Sequence, residues 1–341
     1  MICALGSSGE RRLMNRLWGF MAAAVALAAA ALALPAAAQS YPSKAMRLVS
    51  PFPPGGSVDV VGRLLAAKLS ESMGQQMVVD NRSGASGVIG TEIVMNSPPD
   101  GYTLLINTIP FVSNQFLMPR APYDPLRDFV SISLVASSPS FVTVHPSLPV
   151  RSIQELISLA KSKPGQLFYS AAGVGTNPHI AGELFNLLAD VNIVAVQFKG
   201  GGPADTAVIA GEVGVTFGNI SQEIGYVKAG RMRALAVTSA KRNSAMPELP
   251  TVAEAAPEGP LRGYEFDTWF VVAAPKGTPR AIVDTLNSHI RKALTAPDQV
   301  KFYEERGLTV IASTPEEAAA HLEKEQKKWG RVIKERGIKA E

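Results

Sequence analysis

Cysteine is almost absent from these 341 residues: the single one, Cys3, lies in the first few positions. The rest of the chain therefore has no disulfide and no thiolate metal ligand, and its stability must come from its core. Histidine is scarce too. The four, His145, His179, His289 and His321, are scattered and form no H-E-x-x-H pattern. His179 and Glu183 stand four apart, as a metal pair on one helix face can, but no further His or Cys lies nearby to complete a zinc site. No G-x-S-x-G is present, since Gly84-Ala85-Ser86-Gly87 lacks that spacing, and there is no G-x-x-x-x-G-K-[ST]. Gly173-Val174-Gly175-Thr176-Asn177-Pro178 departs from the dinucleotide fingerprint at its last glycine. Charge of one sign is lacking as well: 33 basic against 29 acidic residues leave +4, with no long basic run interleaved with aromatics. That balance speaks against a nucleic-acid surface. After Leu34 no apolar run is long enough to cross a bilayer.

What is present begins with a leader. Arg11, Arg12 and Arg16 precede an unbroken apolar run from Leu17 to Leu34, and Pro35-Ala36-Ala37-Ala38 supplies a small-residue cleavage pattern. Residues 1–38 read as a signal peptide cleaved after Ala38, which places the mature chain in the periplasm. The run is long for such a segment, and an uncleaved membrane anchor is the alternative. Met14 is a second candidate start, and Arg11-Arg12 gives a weak hint of twin-arginine export.

Next comes a series of apolar strands ending in glycines and hydroxyls before a helix. Leu48 to Ser50 runs into Pro51-Phe52-Pro53-Pro54-Gly55-Gly56-Ser57, and Val60, Val61, Leu64, Leu65 and Leu69 follow at helical spacing over Val58 to Met73. Two bare glycines before a helix let a ligand approach N–H groups that the helix cannot satisfy itself. The helix dipole adds about 0.3–1 kcal/mol for a carboxylate there. The same residues also read as a plain strand-to-helix turn with Ser57 as N-cap. Similar junctions recur at Ser83 to Ser86, at Thr176 and near Gly202. Strands are expected over Gln76 to Asp80, Tyr102 to Asn107, Leu167 to Ser170, Asn192 to Phe198, Val213 to Phe217, Ala234 to Val237 and Tyr264 to Ala274. Helices are expected over Val88 to Asn96, Ser152 to Lys163, Ile180 to Ala189, Ala204 to Ala210 and three C-terminal stretches, the last from Pro315. Ile109 to Phe129 reads as irregular, and Glu323, Lys324, Glu325, Lys327 and Lys328 as a solvated face of the last helix. Alternation of this kind predicts an α/β protein with mainly parallel sheets, whose strand ends line up on one edge. A second βα series inserted into the first makes two lobes, each a sheet flanked by helices, with facing rows of helix N-termini across a ligand cleft.

The order and spacing of several motifs then resemble a known family. Phe52-Pro53-Pro54-Gly55-Gly56-Ser57-Val58-Asp59, Val79-Asp80-Asn81-Arg82-Ser83-Gly84-Ala85-Ser86-Gly87, Pro99-Asp100-Gly101-Tyr102-Thr103-Leu104, Tyr123-Asp124-Pro125, Ser170-Ala171-Ala172-Gly173-Val174-Gly175-Thr176, Phe198-Lys199-Gly200-Gly201-Gly202-Pro203-Ala204, Leu249-Pro250-Thr251-Val252-Ala253-Glu254 and Trp269 with Ala274-Pro275-Lys276-Gly277-Thr278-Pro279 resemble the Bug family. These are the extracytoplasmic solute receptors of tripartite tricarboxylate transporters. The likeness runs from about Tyr41 to the C-terminus. It implies a two-lobed periplasmic-binding-protein-like fold that closes on a small carboxylate and delivers it to a membrane permease.

Carried onto this chain, the ligand grip falls on Gly55, Gly56, Ser57 and Asp59 from one lobe and on Ser170, Gly173, Gly175 and Thr176 from the other, with Phe52 packing against the ligand. Lys199 and Gly200 stand where the family has Tyr-Lys-Gly, Phe198 replacing the tyrosine. Asp59 reads equally as a ligand contact or as a helix-start acid. Phe111 and Phe116 are expected as loop residues that tune specificity. The expected domains are 39–141 with 264–341, and an inserted 142–263. No cofactor, metal or nucleic acid is expected, and the chain is expected to be a monomer meeting its permease transiently. A receptor feeding a membrane sensor kinase and, less favoured, an exported enzyme using Asp59 or His179 as a base are the alternatives.

Overall fold

The computed structural model describes residues 18–21, 41–118 and 122–336. The chain divides into Met1–Ser43 and Lys44–Glu341, and everything below concerns the second unit. The expected cleavage site and most of the leader lie outside the described residues. Among those residues no helix is long and apolar enough to cross a membrane.

The elements follow in the order β1 Met46–Ser50, α1 Ser57–Met73, β2 Met77–Asn81, α2 Val88–Met95, β3 Thr103–Asn107, α3 Pro110–Leu117, β4 Phe129–Pro139, β5 Phe141–Val144, α4 Ile153–Ser162, β6 Leu167–Ala171, α5 Asn177–Ala189, β7 Ile193–Gln197, α6 Gly201–Ile209, β8 Val215–Thr216, α7 Ile220–Lys228, β9 Arg233–Val237, α8 Val252–Ala255, β10 Asp267–Pro275, α9 Arg280–Leu294, α10 Pro297–Glu304, β11 Thr309–Val310 and α11 Pro315–Arg336. Two sheets result, ordered β11-β4-β10-β3-β1-β2 and β7-β6-β8-β5-β9. In the first, β1 is parallel to β2 and β3, and only β10 and the short edge strand β11 oppose the rest. In the second only β5 opposes. The expected mixed α/β architecture with mostly parallel sheets is therefore present.

The buried stretches of the central strands of the first sheet are apolar because helices cover both faces. Leu48, Val49, Leu104, Leu105, Ile106 and Val271 to Ala274 are fully buried. Helix α1 turns Val58, Val61, Leu65 and Leu69 inwards, each fully buried leucine contributing about 1.5–3 kcal/mol. Gly62 lets it approach Ile106 closely, and Gly74, at φ 67°, ends it in the left-handed conformation that favours glycine. In the second sheet's layer, Ser152 caps α4 by accepting the Glu155 N–H at 3.1 Å, as its spacing predicts.

The chain changes sheet at Ser140, between β4 and β5, and returns between Val237 and Asp267. Thr238 ties both crossings together. Its N–H donates to Ser140 O at 2.9 Å, its carbonyl accepts the Phe266 N–H at 2.9 Å, and its Oγ1 accepts the Ser140 N–H at 2.7 Å while reaching Phe266 O at 2.7 Å.

Three expectations need correction. The stretch read as irregular after Ile109 holds α3, which starts with Pro110; it is buried on nearly every side, so it carries no amphipathic period. Phe111 is accordingly core rather than a cleft residue, fully buried against Tyr123 and Phe129 with ring centroids 5.9 and 5.1 Å away, while Phe116 lies against Gly330. Glu325 is not on a solvated face: it is buried and accepts the indole N–H groups of Trp269 and Trp329 at 2.9 and 2.8 Å.

Candidate functional site

The loop from Pro51 to Gly56 is fastened from below by Asp59. Its carboxylate accepts the Gly55 N–H at 3.0 Å, Arg63 Nε at 3.0 Å and Asn81 Nδ2 at 2.9 Å, and the same Asn81 amide donates to Phe52 O at 3.0 Å. Burial alone would raise the Asp59 carboxyl, but the bonds from Arg63, Gly55 and Asn81 outweigh it and hold the group below its ordinary value. Gly55, at φ 83°, makes the turn. Gly56 is the N-cap of α1 and no side chain caps it. Ser57, read from the sequence as that N-cap, is the first helical residue, and its N–H donates to Gln222 Oε1 at 2.9 Å.

The facing loop between β6 and α5 is built on Gly173 and Gly175, at φ 118° and 75°. Thr176 Oγ1 donates to Gly173 O at 2.6 Å, and His179 Nδ1 accepts the Gly175 N–H at 3.1 Å. Burial holds His179 below its ordinary value, against the opposing pull of Glu183; the neutral ring is the form that can accept here. Glu183 accepts Tyr169 OH at 2.8 Å, so the histidine braces the loop and the glutamate ties α5 to β6. A side chain at Gly175 would run into Leu117 on α3. From the β2–α2 loop, Ser86 Oγ donates to Val174 O at 3.0 Å, and Gly200 passes Pro53 so closely that a Cβ would sit 2.6 Å from its ring.

All these loops leave the C-terminal ends of strands, where open α/β sheets bind ligands. They enclose a narrow cavity of about 40 Å³ lined by Phe52, Gly56, Ser57, Val58, Thr108, Pro110, Ala172, Thr176, Asn177, Pro178, Gly201, Asn219 and Gln222. Five helices begin on its wall: α1 at Ser57, α3 at Pro110, α5 at Asn177, α6 at Gly201 and α7 just after Asn219. Among the described residues no Lys, Arg, His, Asp or Glu lines it. The early N–H groups of α3 and α7 are already used, by Thr108 O and Ile109 O in one and by Asn219 in the other, so these two helices offer a dipole end. Val58, Asn177 and Gly201 stand at first-turn positions, whose N–H groups have no acceptor within their own helices. Inside, Asn177 Oδ1 is buried without a partner, while its Nδ2 donates to Thr108 Oγ1 at 3.3 Å. A wider cavity of about 420 Å³ abuts the first at Phe52 and Ala172, with Ser83 to Gly87, Gly173, Phe198, Lys199 and Gly200 on its wall.

Of the residues singled out in the sequence, Phe52, Gly56, Ser57 and Thr176 line the narrow cavity, and Phe52, Gly173, Lys199 and Gly200 the wider one. Gly55 faces an outer groove with Pro54 and Phe198. Asp59, Ser170 and Gly175 line neither cavity; Asp59 and Gly175 set loop shape, and Ser170 is fully buried in β6. Thr108, Asn177, Asn219 and Gln222 were missed. Asn219 had a legible signal, an N-cap residue straight after a glycine, whereas nothing in the sequence marks Gln222.

The tripartite tricarboxylate transporter family receptor model matches residues 61–338. The chain belongs to that receptor family. Protein BugT of Bordetella pertussis is 37% identical over 302 residues, covering 87% of this chain and 90% of its own. Among solved structures, R. palustris Rpa4515 with adipate matches at a TM-score of 0.85 and 38% identity, over 88% of this chain and 99% of that one. MatC from Rhodopseudomonas palustris with bound malate matches at 0.80 and 28%, over 86% and 100%. This Bug receptor thus has solute-binding proteins as relatives, not enzymes, and its cavity of helix ends without cations lies where its fold leaves strand ends open.

Proposed function

We propose that this receptor captures a small carboxylate between its two sheets and delivers it to the membrane subunits of a tripartite tricarboxylate-type transporter. The observation that carries the reading is the meeting of five helix N-termini on one narrow cavity free of charged side chains. Such a wall favours an anion through dipole ends and backbone donors, and a carboxylate's two oxygens accept from both sides at once. The relatives holding adipate and malate support the same class. Phe52, Gly56, Ser57 and Thr176 are proposed to meet the carboxylate, Gly173, Lys199 and Gly200 to meet the distal part of the ligand, and Gly55, Asp59, Ser170 and Gly175 to hold the loops. Residues 39–141 with 264–341, and 142–263, act as the lobes, closing about the paired crossings at Thr238. The receptor works as a periplasmic monomer once residues 1–38 are removed.

A melting-temperature screen of the purified protein against di- and tricarboxylates, acidic amino acids and aromatic acids tests this. A ligand at ~100 times its dissociation constant stabilises by about 2.7 kcal/mol. Stabilisation by carboxylates alone supports the reading; stabilisation only by phosphates, sugars or cations contradicts it.

A further inference from the structure

Behind the wall of the narrow cavity lies a feature that solute capture does not require. Gln222 spans the wall: its Oε1 accepts the Ser57 N–H at 2.9 Å, and its Nε2 donates to Asp205 Oδ2 at 2.5 Å. Asp205 is 3% exposed and Glu223, next to it, is 0% exposed, and the two carboxyl groups lie within hydrogen-bonding reach of each other. The neighbours that bond to the pair or press on it are neutral. From α7 comes Gln222, from β5 Thr143, whose Oγ1 donates to Glu223 Oε2 at 2.8 Å, from β8 Thr216, and from the turn after β8 the backbone of Gly218, where a side chain would collide with the glutamate. Among the described residues neither carboxyl forms an ion pair, and no Lys, Arg or His is among the main influences on either one.

Two carboxylates in dry contact cannot both ionise. A second observation agrees: Glu223 Oε1 is completely buried and meets no donor among the described residues, although buried oxygens almost always find one. A proton shared by the two carboxyl groups turns one oxygen of the pair into a donor. We propose that Asp205 and Glu223 form a proton-binding site coupled through Gln222 to the anion cavity, so that the receptor takes up its carboxylate together with a proton. The coupling follows from charge. An anion entering a wall that holds no cation sits beside Asp205 across one amide, and in a low-dielectric interior that raises the cost of ionising the pair. Linkage is reciprocal, so the proton that the anion draws in strengthens the anion's own binding by the same factor.

Burial raises Asp205 above its ordinary value. Burial and the facing Asp205 raise Glu223 well above its ordinary value, so the pair keeps a proton well above the ordinary carboxylate range.

The coupling half rests on the carboxylate reading above, and the experiment separates the two. Calorimetry with adipate and with malate, in buffers of different ionisation enthalpy from pH 5.5 to 8.5, is run on the receptor and on Asp205→Asn and Glu223→Gln. The wild type is expected to absorb a fraction of a proton per ligand and to lose up to tenfold in affinity per pH unit above neutrality, while Asp205→Asn binds without that slope. Binding with no proton uptake, or a slope that persists in both variants, overturns the proposal. Carboxyl carbon NMR of the ligand-free protein decides the proton site by itself, whether or not either acid binds. A carboxyl that titrates between pH 6 and 8 and is missing from Asp205→Asn upholds the site, and a pair fully ionised below pH 5 refutes it. Failure of every carboxylate to bind, with that titration present, refutes the functional reading and leaves the proton site standing.

Discussion

The Ser57 N–H donates to Gln222 Oε1 at 2.9 Å, joining the first turn of α1, beside the first sheet, to α7, beside the second. It is a direct polar bond across the candidate cleft, and it uses a helix N-terminal donor that α1 cannot satisfy internally. Ser86 Oγ to Val174 O is its counterpart on the other loop pair.

Gln222→Ala removes the first of these bonds. A net hydrogen bond is worth about 0.5–1.5 kcal/mol, so carboxylate affinity is expected to fall by roughly two- to tenfold, and to fall through faster release because the closed state is less populated. Calorimetry together with stopped-flow dissociation checks this; unchanged release would remove Gln222 from the closing contact.

Thr238→Val keeps the shape of the crossing residue and deletes its hydroxyl. The Ser140 N–H and Phe266 O, both bonded to that oxygen, lose it in a buried setting. Each unsatisfied group costs about 1–3 kcal/mol, so thermal unfolding should shift down by several degrees, with a further loss of affinity if the paired crossings guide closure. A melting point within a degree of wild type would show that Thr238 is not a staple.

Asp59 sets an acid limit on the loop. Its folded carboxyl is held below its ordinary value of 3.8, so its contribution to stability is present in full above about that pH and is lost as pH falls through the lower folded value. Asp59→Asn should therefore be less stable than wild type at neutral pH and converge with it at strongly acid pH. Chemical denaturation at several pH values measures the difference; a constant gap down to pH 2 would mean that the carboxylate charge is not what fastens Gly55, Arg63 and Asn81.

Much of this architecture was legible because the signals are local. Apolar runs broken by glycine and hydroxyl residues mark β1, β2, β3, β6 and β7, and the spacing of Ser152 and Glu155 marks the start of α4. Helix α3 was hidden because a helix buried on nearly all sides has no polar face to reveal a period, and Pro110 at its start reads as a breaker until its neighbours are known. Strand β8 shrinks to Val215–Thr216, with Gly214 inside the expected run Val213 to Phe217 and Gly218 just beyond it. The site divides in the same way. Gly56, Ser57 and Thr176 announce themselves as strand-to-helix junctions, whereas Gln222, Asp205 and Glu223 sit inside ordinary helical sequence. Their meeting depends on how α6 and α7 pack on the second sheet, which no local pattern encodes. Asp59 illustrates a third case: its residue type was informative, but only the bonds to Gly55, Arg63 and Asn81 show which way it faces.

The central claim is that the carboxylate in the narrow cavity is held by helix N-termini around Gly56 and not by a cationic side chain. Replacing Gly56 with aspartate tests it most directly, because the backbone there has φ −78°, which any residue adopts, and an added Cβ meets nothing closer than 3.6 Å. Calorimetry of Gly56→Asp and Gly56→Asn with the carboxylate that best stabilises the wild type is expected to show affinity at least tenfold weaker for the aspartate than for the isosteric asparagine, the charge alone making the difference. Equal affinity of the two variants and the wild type would contradict the account.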